Sequence, residues 1–191
     1  MEEGPRCVKY KWVFEVKRNG VFRARLVACG YSQIPGMDFA EVYSPVANDI
    51  TFRIIIVVMM MMELKALIFD IETAFLLGDL DKTIYMKCPE GMIHEEDDRL
   101  LLKKTIYGLV QSSRLYYKKY QQVMKRLGFE RCKSDPCLFF RQTEEGICII
   151  LTYVDDNLAL GTPEALDQLQ RELKGTEFTF TVQEEMRLSQ L

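Results

Sequence analysis

Histidine is nearly missing from this chain of 191 residues: the only one, His94, sits in the acidic stretch from Glu90 to Asp98. A poly-histidine metal centre is thereby excluded, and a Ser-His-Asp triad has no footing on a stretch that reads as a solvated loop. The six cysteines (Cys7, Cys29, Cys88, Cys132, Cys137, Cys148) include no Cys-x-x-Cys pair. That argues against zinc ligation and a disulfide framework, and leaves buried free thiols as the expectation. No apolar run reaches membrane-spanning length, since the longest, from Ile54 to Met62, is stopped by Glu63. The opening Met1-Glu2-Glu3-Gly4-Pro5-Arg6 lacks a signal-peptide pattern, so an intracellular, non-secreted protein is expected. Internal repeats and low-complexity linkers are absent as well. What chemistry remains is carboxylate chemistry.

The chain has a hydrophobic content of 48%, enough for one domain or two closely packed lobes. Its most informative feature is the adjacent pair Asp155 and Asp156, between the apolar runs Ile147 to Val154 and Asn157 to Leu160. Unpaired carboxylates on a greasy hairpin need a partner, and a hard divalent cation such as Mg2+ suits them. Asp-Asp-Asn is also ordinary turn chemistry, and that reading stays open at this point. The net charge of −3 hides a segregation: Arg99 to Asp135 carries ten basic residues against Glu130 and Asp135. Such a stretch is either a phosphate-facing surface or a solvated helix face.

Lys11 to Lys17 and Val21 to Ala28 alternate around Asn19-Gly20, which predicts a hairpin. Arg23 and Arg25, two apart on its second strand, share a face and could grip a polyphosphate; a charged solvent face fits equally. Thr51 to Met62 predicts a buried helix whose four methionines give adaptable packing, and Leu64 to Ile71 a buried strand with Asp70 near its end. Thr83 to Lys87 reads as a short strand. From Gln111 to Leu127 the recurrence of Tyr116, Tyr120, Val123, Met124 and Leu127 predicts a helix ended by Gly128. Pro136 to Phe140, Ile147 to Tyr153 and Glu177 to Val182 read as strands. Thr162-Pro163 opens a helix that runs through Lys174 and closes at Gly175.

Six stretches in order then match one family: Phe22 to Gln33, Ser44-Pro45-Val46, Asp70 to Gly78, Ile84-Tyr85-Met86 before Pro89-Glu90-Gly91, Ile106 to Arg114, and Tyr153-Val154-Asp155-Asp156. From about Lys9 to about Gly175 the chain resembles the reverse transcriptase of Ty1/copia-type retrotransposon Pol polyproteins. The resemblance implies an α+β polymerase right hand. Its fingers would span approximately 1–66 and 80–111, its palm approximately 67–79 and 112–191, within a single truncated domain lacking thumb and RNase H. It implies that Asp70 and Asp155 hold two Mg2+ ions, with Mn2+ as a substitute, and that Asp156 supports them. Phe75 becomes the gate under the incoming sugar, with core packing as its plainer reading. Gln111, Arg23 and Arg25 become contacts to the incoming nucleotide, and Arg114, Lys118 and Lys119 contacts to nucleic acid. The implied partners are an RNA or DNA template with primer, deoxynucleoside triphosphates, and other Pol domains such as integrase and RNase H, with no membrane; the implied location is a cytoplasmic particle or the nucleus.

The chain departs from the family pattern in four places. Arg23 stands where Lys is common, Cys29 where Arg is common, Glu72 where Lys is common, and Tyr116 where Trp is more usual. The implied activity is RNA-directed DNA polymerisation. The alternative is a catalytically inactive remnant that binds nucleic acid or protein, and an unrelated metal-dependent phosphotransferase leaves the motif order unexplained.

Overall fold

The structure, a computed structural model, describes residues 6–18, 20–92 and 99–186. Asn19 of the expected turn, His94 and most of the acidic stretch lie outside the described residues. In chain order the strands are β1 (Cys7–Val8), β2 (Tyr10–Val16), β3 (Phe22–Ala28), β4 (Lys65–Ile71), β5 (Tyr85–Lys87), β6 (Arg99–Leu101), β7 (Glu130–Arg131), β8 (Leu138–Thr143), β9 (Gly146–Tyr153), β10 (Asp156–Gly161) and β11 (Phe180–Met186). The helices are α1 (Asp49–Met61), α2 (Ser112–Arg126) and α3 (Pro163–Lys174). The fold is thus mixed α/β. It divides into two units, Met1–Tyr43 with Phe75–Tyr116 and Ser44–Ala74 with Tyr117–Leu191.

The second unit is built on a six-stranded antiparallel sheet in the order β11-β4-β10-β9-β8-β7. Its inner strands are near-continuous apolar runs because both faces are covered. On one face, Ile55 and Met59 of α1 pack against Ala66, Leu151 and Leu160. On the other, the Tyr120 ring of α2 meets Phe139 edge-on at 5.6 Å and stacks on Phe178 at 5.9 Å. Local chemistry starts and stops the helices. The Asn48 side chain accepts from the Ile50 N–H at 2.8 Å to cap α1, and Thr162 caps α3 ahead of Pro163. Gly128, at φ +79°, ends α2 in the left-handed conformation that a side chain would strain.

The helix expected over Thr51 to Met62 forms, but it is not buried. Only Ile55 and Met59 are buried, while Ile50, Phe52, Ile54, Val57 and Met60 to Met62 lie exposed. The apolar residues run around the whole helix, so composition could not tell which stripe would meet the sheet. Two strand boundaries also move. The strand expected at Pro136 begins at Leu138, because Asp135 turns the chain by accepting from the Cys137 N–H at 2.9 Å. The strand expected from Glu177 begins at Phe180.

In the first unit, β5 lies between β1 and β6, and β2 pairs with β3 alone. The Val8, Ala28, Ile84, Met86 and Leu109 side chains form its core, with Tyr10 and Leu26 packed against them. The β2–β3 hairpin is therefore rooted at its base. Beyond the root the aromatic face is open: Trp12, Phe14, Val16 and Phe22 are exposed where a half-buried hairpin was expected. All six cysteines are free, and burial raises the Cys137 and Cys148 thiols to about 12, which keeps them protonated and unreactive. Among the described residues no helix is long and apolar enough to cross a membrane.

Candidate carboxylate site and its surroundings

The β4–β10 ladder fixes the position of the acidic residues. Asp70 is paired with Asp156 on β10 and with Thr181 on β11, and Asp156 is in turn paired with Tyr153 on β9. Residues directly opposite in a ladder share a face, so this row crosses four strands on the α1 side of the sheet. The Ile71 N–H donates to the Asp155 carbonyl at 3.0 Å. That makes Ile71 and Asp155 a hydrogen-bonded pair and Asp70 and Asp156 a non-hydrogen-bonded one, the kind whose Cα atoms approach to about 4.5 Å. Asp156, rather than Asp155, is thus the ladder neighbour of Asp70. Asp155 sits in the two-residue turn that joins β9 to β10.

That turn is strained. Val154 has φ +60°, which a β-branched residue rarely adopts, and Asp155 is not in the left-handed region. A positive φ at the first central position alone is the type II′ pattern that suits the twist of a hairpin, normally with glycine there. Two buried polar side chains hold the turn from below. The Asn157 amide donates to the Asp155 carbonyl at 2.7 Å, and the Thr152 hydroxyl to the Val154 carbonyl at 3.3 Å. The sequence names Asn157 only as turn chemistry within Asp-Asp-Asn, and Thr152 was passed over. Their signal was a polar residue at an inward position of an otherwise apolar strand.

The donor chemistry fits a hard cation. Two carboxylates opposed in a ladder repel each other, and neither Asp155 nor Asp156 has a basic partner among the described residues. Among those residues no three His, Cys, Asp or Glu converge into a metal cage of their own. Mg2+ needs none, since one or two carboxylates together with substrate phosphates commonly suffice. Glu72 follows just past the end of β4 and accepts from the Thr181 hydroxyl at 2.5 Å, which adds a further negative charge beside the row. A largely apolar groove of about 760 Å³ opens on this face between Phe52 and Met59 of α1 and Ile68 and Leu158 of the sheet, with Asp156 in its lining.

The other sequence-predicted residues fall in different settings. In the first unit, the Phe75 ring meets Tyr107 edge-on at 5.0 Å and Tyr116 at 6.3 Å, and the Phe75 carbonyl accepts from the Thr105 hydroxyl. Arg25 lies 6.0 Å over the Tyr107 ring and bonds Glu15 at 2.9 Å, while Arg23 is exposed. Tyr107 is itself clamped, its carbonyl accepting from the Ala28 N–H at 2.7 Å. At the next position, Gly108, with φ +89°, packs so close to the Ala28 carbonyl that a Cβ would overlap it. Gln111 is 0% exposed. Its amide nitrogen donates to the Asp38 carbonyl and its oxygen accepts from Gln33, both at 3.0 Å.

The cations of α2 are largely spoken for. Arg114 is paired with Glu41 and lies 3.6 Å from Asp81. Lys119 is 3.0 Å from Glu177, which also holds Arg126. Burial works against the Glu177 charge, but its backbone N–H together with Arg126 and Lys119 outweighs it and lowers the carboxyl to about 2. Lys118 alone of the three expected nucleic-acid contacts is exposed without an ion pair among the described residues.

Comparison with known proteins bears on this arrangement. Residues 2–185 match the family model described as reverse transcriptase (RNA-dependent DNA polymerase). The chain is 37% identical over 174 residues to the retrovirus-related Pol polyprotein from transposon TNT 1-94 of Nicotiana tabacum, covering 87% of this chain and 13% of that protein. It is 36% identical over 163 residues to the corresponding polyprotein from transposon RE1 of Arabidopsis thaliana, covering 82% of this chain and 11% of that one. Against the Transposon Ty1-LR2 Gag-Pol polyprotein of Saccharomyces cerevisiae the identity is 26% over 152 residues, covering 79% of this chain and 8% of the yeast protein. The chain therefore spans only a small part of the length of the relatives it matches.

Proposed function

Because the chain belongs to the reverse transcriptase (RNA-dependent DNA polymerase) family of Ty1/copia-type elements, we propose that it performs template-directed deoxynucleotidyl transfer as part of a retrotransposon Pol polyprotein. The unit carrying the six-stranded sheet acts as palm, and the unit carrying the β2–β3 hairpin as fingers. The observation that carries this reading is the ladder pair Asp70 and Asp156 with Asp155 in the strained turn beside it. Asp70, Asp155 and Asp156 would hold two Mg2+ ions, with Mn2+ as a substitute. A divalent cation there supplies Lewis-acid stabilisation of the charge on the attacking primer 3′-oxygen and the departing pyrophosphate.

The rest of the chemistry is positioning. Strain at Val154 and the hydrogen bond from Asn157 keep the turn carboxylate from relaxing away from the ladder pair. Phe75, braced by Tyr107 and Tyr116, acts as the bulky wall that excludes a sugar 2′-hydroxyl. Arg23 and Arg25 attract the triphosphate. Gln111, saturated by Gln33 and Asp38, serves the nucleotide by fixing the segment around residues 33–38. Lys118 is the cation of α2 best disposed toward a phosphate backbone, since Arg114 and Lys119 already have acidic partners.

Primer extension tests the reading. Purified protein with poly(rA)/oligo(dT), Mg2+ and labelled thymidine triphosphate is expected to incorporate label. Asp70→Asn and Asp156→Asn should each lower the rate on the order of 10³-fold, the loss of several kcal/mol of charge stabilisation at the transition state. Incorporation that survives Asp70→Asn would overturn the proposal. So would a wild-type protein that binds the duplex but incorporates nothing with Mg2+ or Mn2+, which is the behaviour of a binding module.

A further inference from the structure

Helix α1 is apolar on every side, with Asp49, Thr51 and Arg53 as the only polar residues among its 13. A helix lying on a sheet needs one apolar stripe, and α1 carries two. Ile55 and Met59 make the first, which packs against Ala66, Leu151 and Leu160. The second consists of Ile50, Ile54, Val57 and Met61, which at about 100° per residue cluster on the side opposite Met59. These four are 65%, 56%, 48% and 79% exposed, and Met60 beside them is 51% exposed. One such side chain on a surface is ordinary, whereas a continuous row along a whole helix marks an interface.

The spacing of the outer row identifies what covers it. Steps of four, three and four residues are those of the a and d positions through which two like helices interlock, knob into hole. Two heptads are too few for a free-standing coiled coil. Here Ile55 and Met59 already hold α1 on the sheet, so docking orders little further. Charge argues against other occupants. Asp49 and Arg53 leave the helix without net charge, so a nucleic acid would find one cation and an anionic membrane surface no basic flank. A second copy presents the same row, which is what an isologous contact requires. A stable interface takes at least about 500 Å² from each partner, and five large apolar side chains about half exposed or more supply an area of that order.

We propose that the outer row of α1, Ile50, Ile54, Val57 and Met61, is a homodimer interface in which α1 packs on α1 of a second copy across a two-fold axis. Antiparallel pairing sets Ile54 against the partner's Val57 and Ile50 against the partner's Met61, and it keeps the two Arg53 side chains apart. The interface requires neither the carboxylates nor a metal, so it is independent of the polymerase reading.

Sedimentation equilibrium of the whole chain, without Mg2+ or nucleic acid, should show a monomer–dimer equilibrium between about 1 µM and about 100 µM. Ile54→Glu and Met61→Glu should each weaken it about 100-fold, because the interface would then bury a carboxylate against apolar side chains. Phe14→Glu, on the open face of the β2–β3 hairpin, should leave it unchanged. All three positions are exposed enough for the variants to fold. Oxidation by hydrogen peroxide, read by peptide mass spectrometry, reports on the row without any substitution. Met61 should oxidise about 10-fold more slowly in the dimer than in the monomer, while Met37, 65% exposed in the first unit, keeps its rate. A chain that stays monomeric throughout overturns the proposal and leaves the row to a different protein. So does a dimer that survives Ile54→Glu, one that Phe14→Glu dissolves, or a Met61 oxidation rate that does not change with protein concentration.

Discussion

Two hairpins in this chain begin from similar apolar sequence and end in opposite surroundings. The β9–β10 hairpin has β4 and β8 on either side and helices over the sheet, so Ile150, Ala159 and Leu160 are wholly buried. The β2–β3 hairpin has no third strand, and beyond its root its aromatic side chains face outward. The sequence difference behind this is one of pattern. Ile147 to Leu151 is a continuous apolar run, which fits a strand covered on both faces, whereas Lys11 to Lys17 alternates, which fits one covered on a single face at most. Alternation marks which side chains share a face. It does not say whether anything lies over that face.

The largest effects separate the hairpins by stability. Ile150→Ala should lower unfolding free energy by about 2–5 kcal/mol, because its site is closed on every side and leaves a cavity. Phe14→Ala should change it by less than about 0.5 kcal/mol. Urea midpoints for the two variants test this directly, and comparable losses would mean that the hairpin tip is covered in the free protein.

A smaller effect sharpens the contrast at the turns. The β2–β3 loop places Gly20 at φ +79°, whereas the β9–β10 turn forces a valine to φ +60°. Val154→Gly should therefore stabilise the protein by up to about 1 kcal/mol, measured by thermal or urea unfolding, while lowering incorporation as the turn carboxylate loosens. Stabilisation with undiminished incorporation would remove the turn strain from the mechanism.

The smallest effect concerns the support behind the sheet. Glu177 ties Lys119 and Arg126 of α2, and its carboxyl lies at about 2 against an ordinary 4.5. A folded-state value below the unfolded one means that its contribution is complete above about pH 4.5 and is lost as pH falls towards 2. The Tm gap between wild type and Glu177→Gln should accordingly close across that window. A gap that stays constant down to pH 2 would show that the network contributes through packing alone.

Much of this was legible from local pattern. The three helices, the first hairpin and the β9 run follow from caps, spacing and apolar periodicity, and the adjacent aspartates announced themselves by standing at the end of a greasy strand. What escaped depended on contacts between residues far apart in the chain. The exposed side of α1 could not be told from its buried side, since Ile54 and Ile55 are chemically alike and only the sheet distinguishes them. Asp156 rather than Asp155 facing Asp70 is a matter of ladder register, which no local window contains. Gln111 and Arg114 looked available for ligands. Gln33, Asp38, Glu41 and Asp81, distant in sequence, had already engaged them.

The pairing of β4 with β10 also bears on how copies of such an element would decay. Substitutions on the outer surface of α1 or at the tip of the first hairpin leave the alignment of these strands untouched. Deleting one codon between Asn157 and Gly161 does not: it turns the remainder of β10 over, exchanging the side chains packed on one face of the sheet for those packed on the other and mismatching both. Length changes inside these strands should therefore inactivate a copy long before the same number of point changes elsewhere.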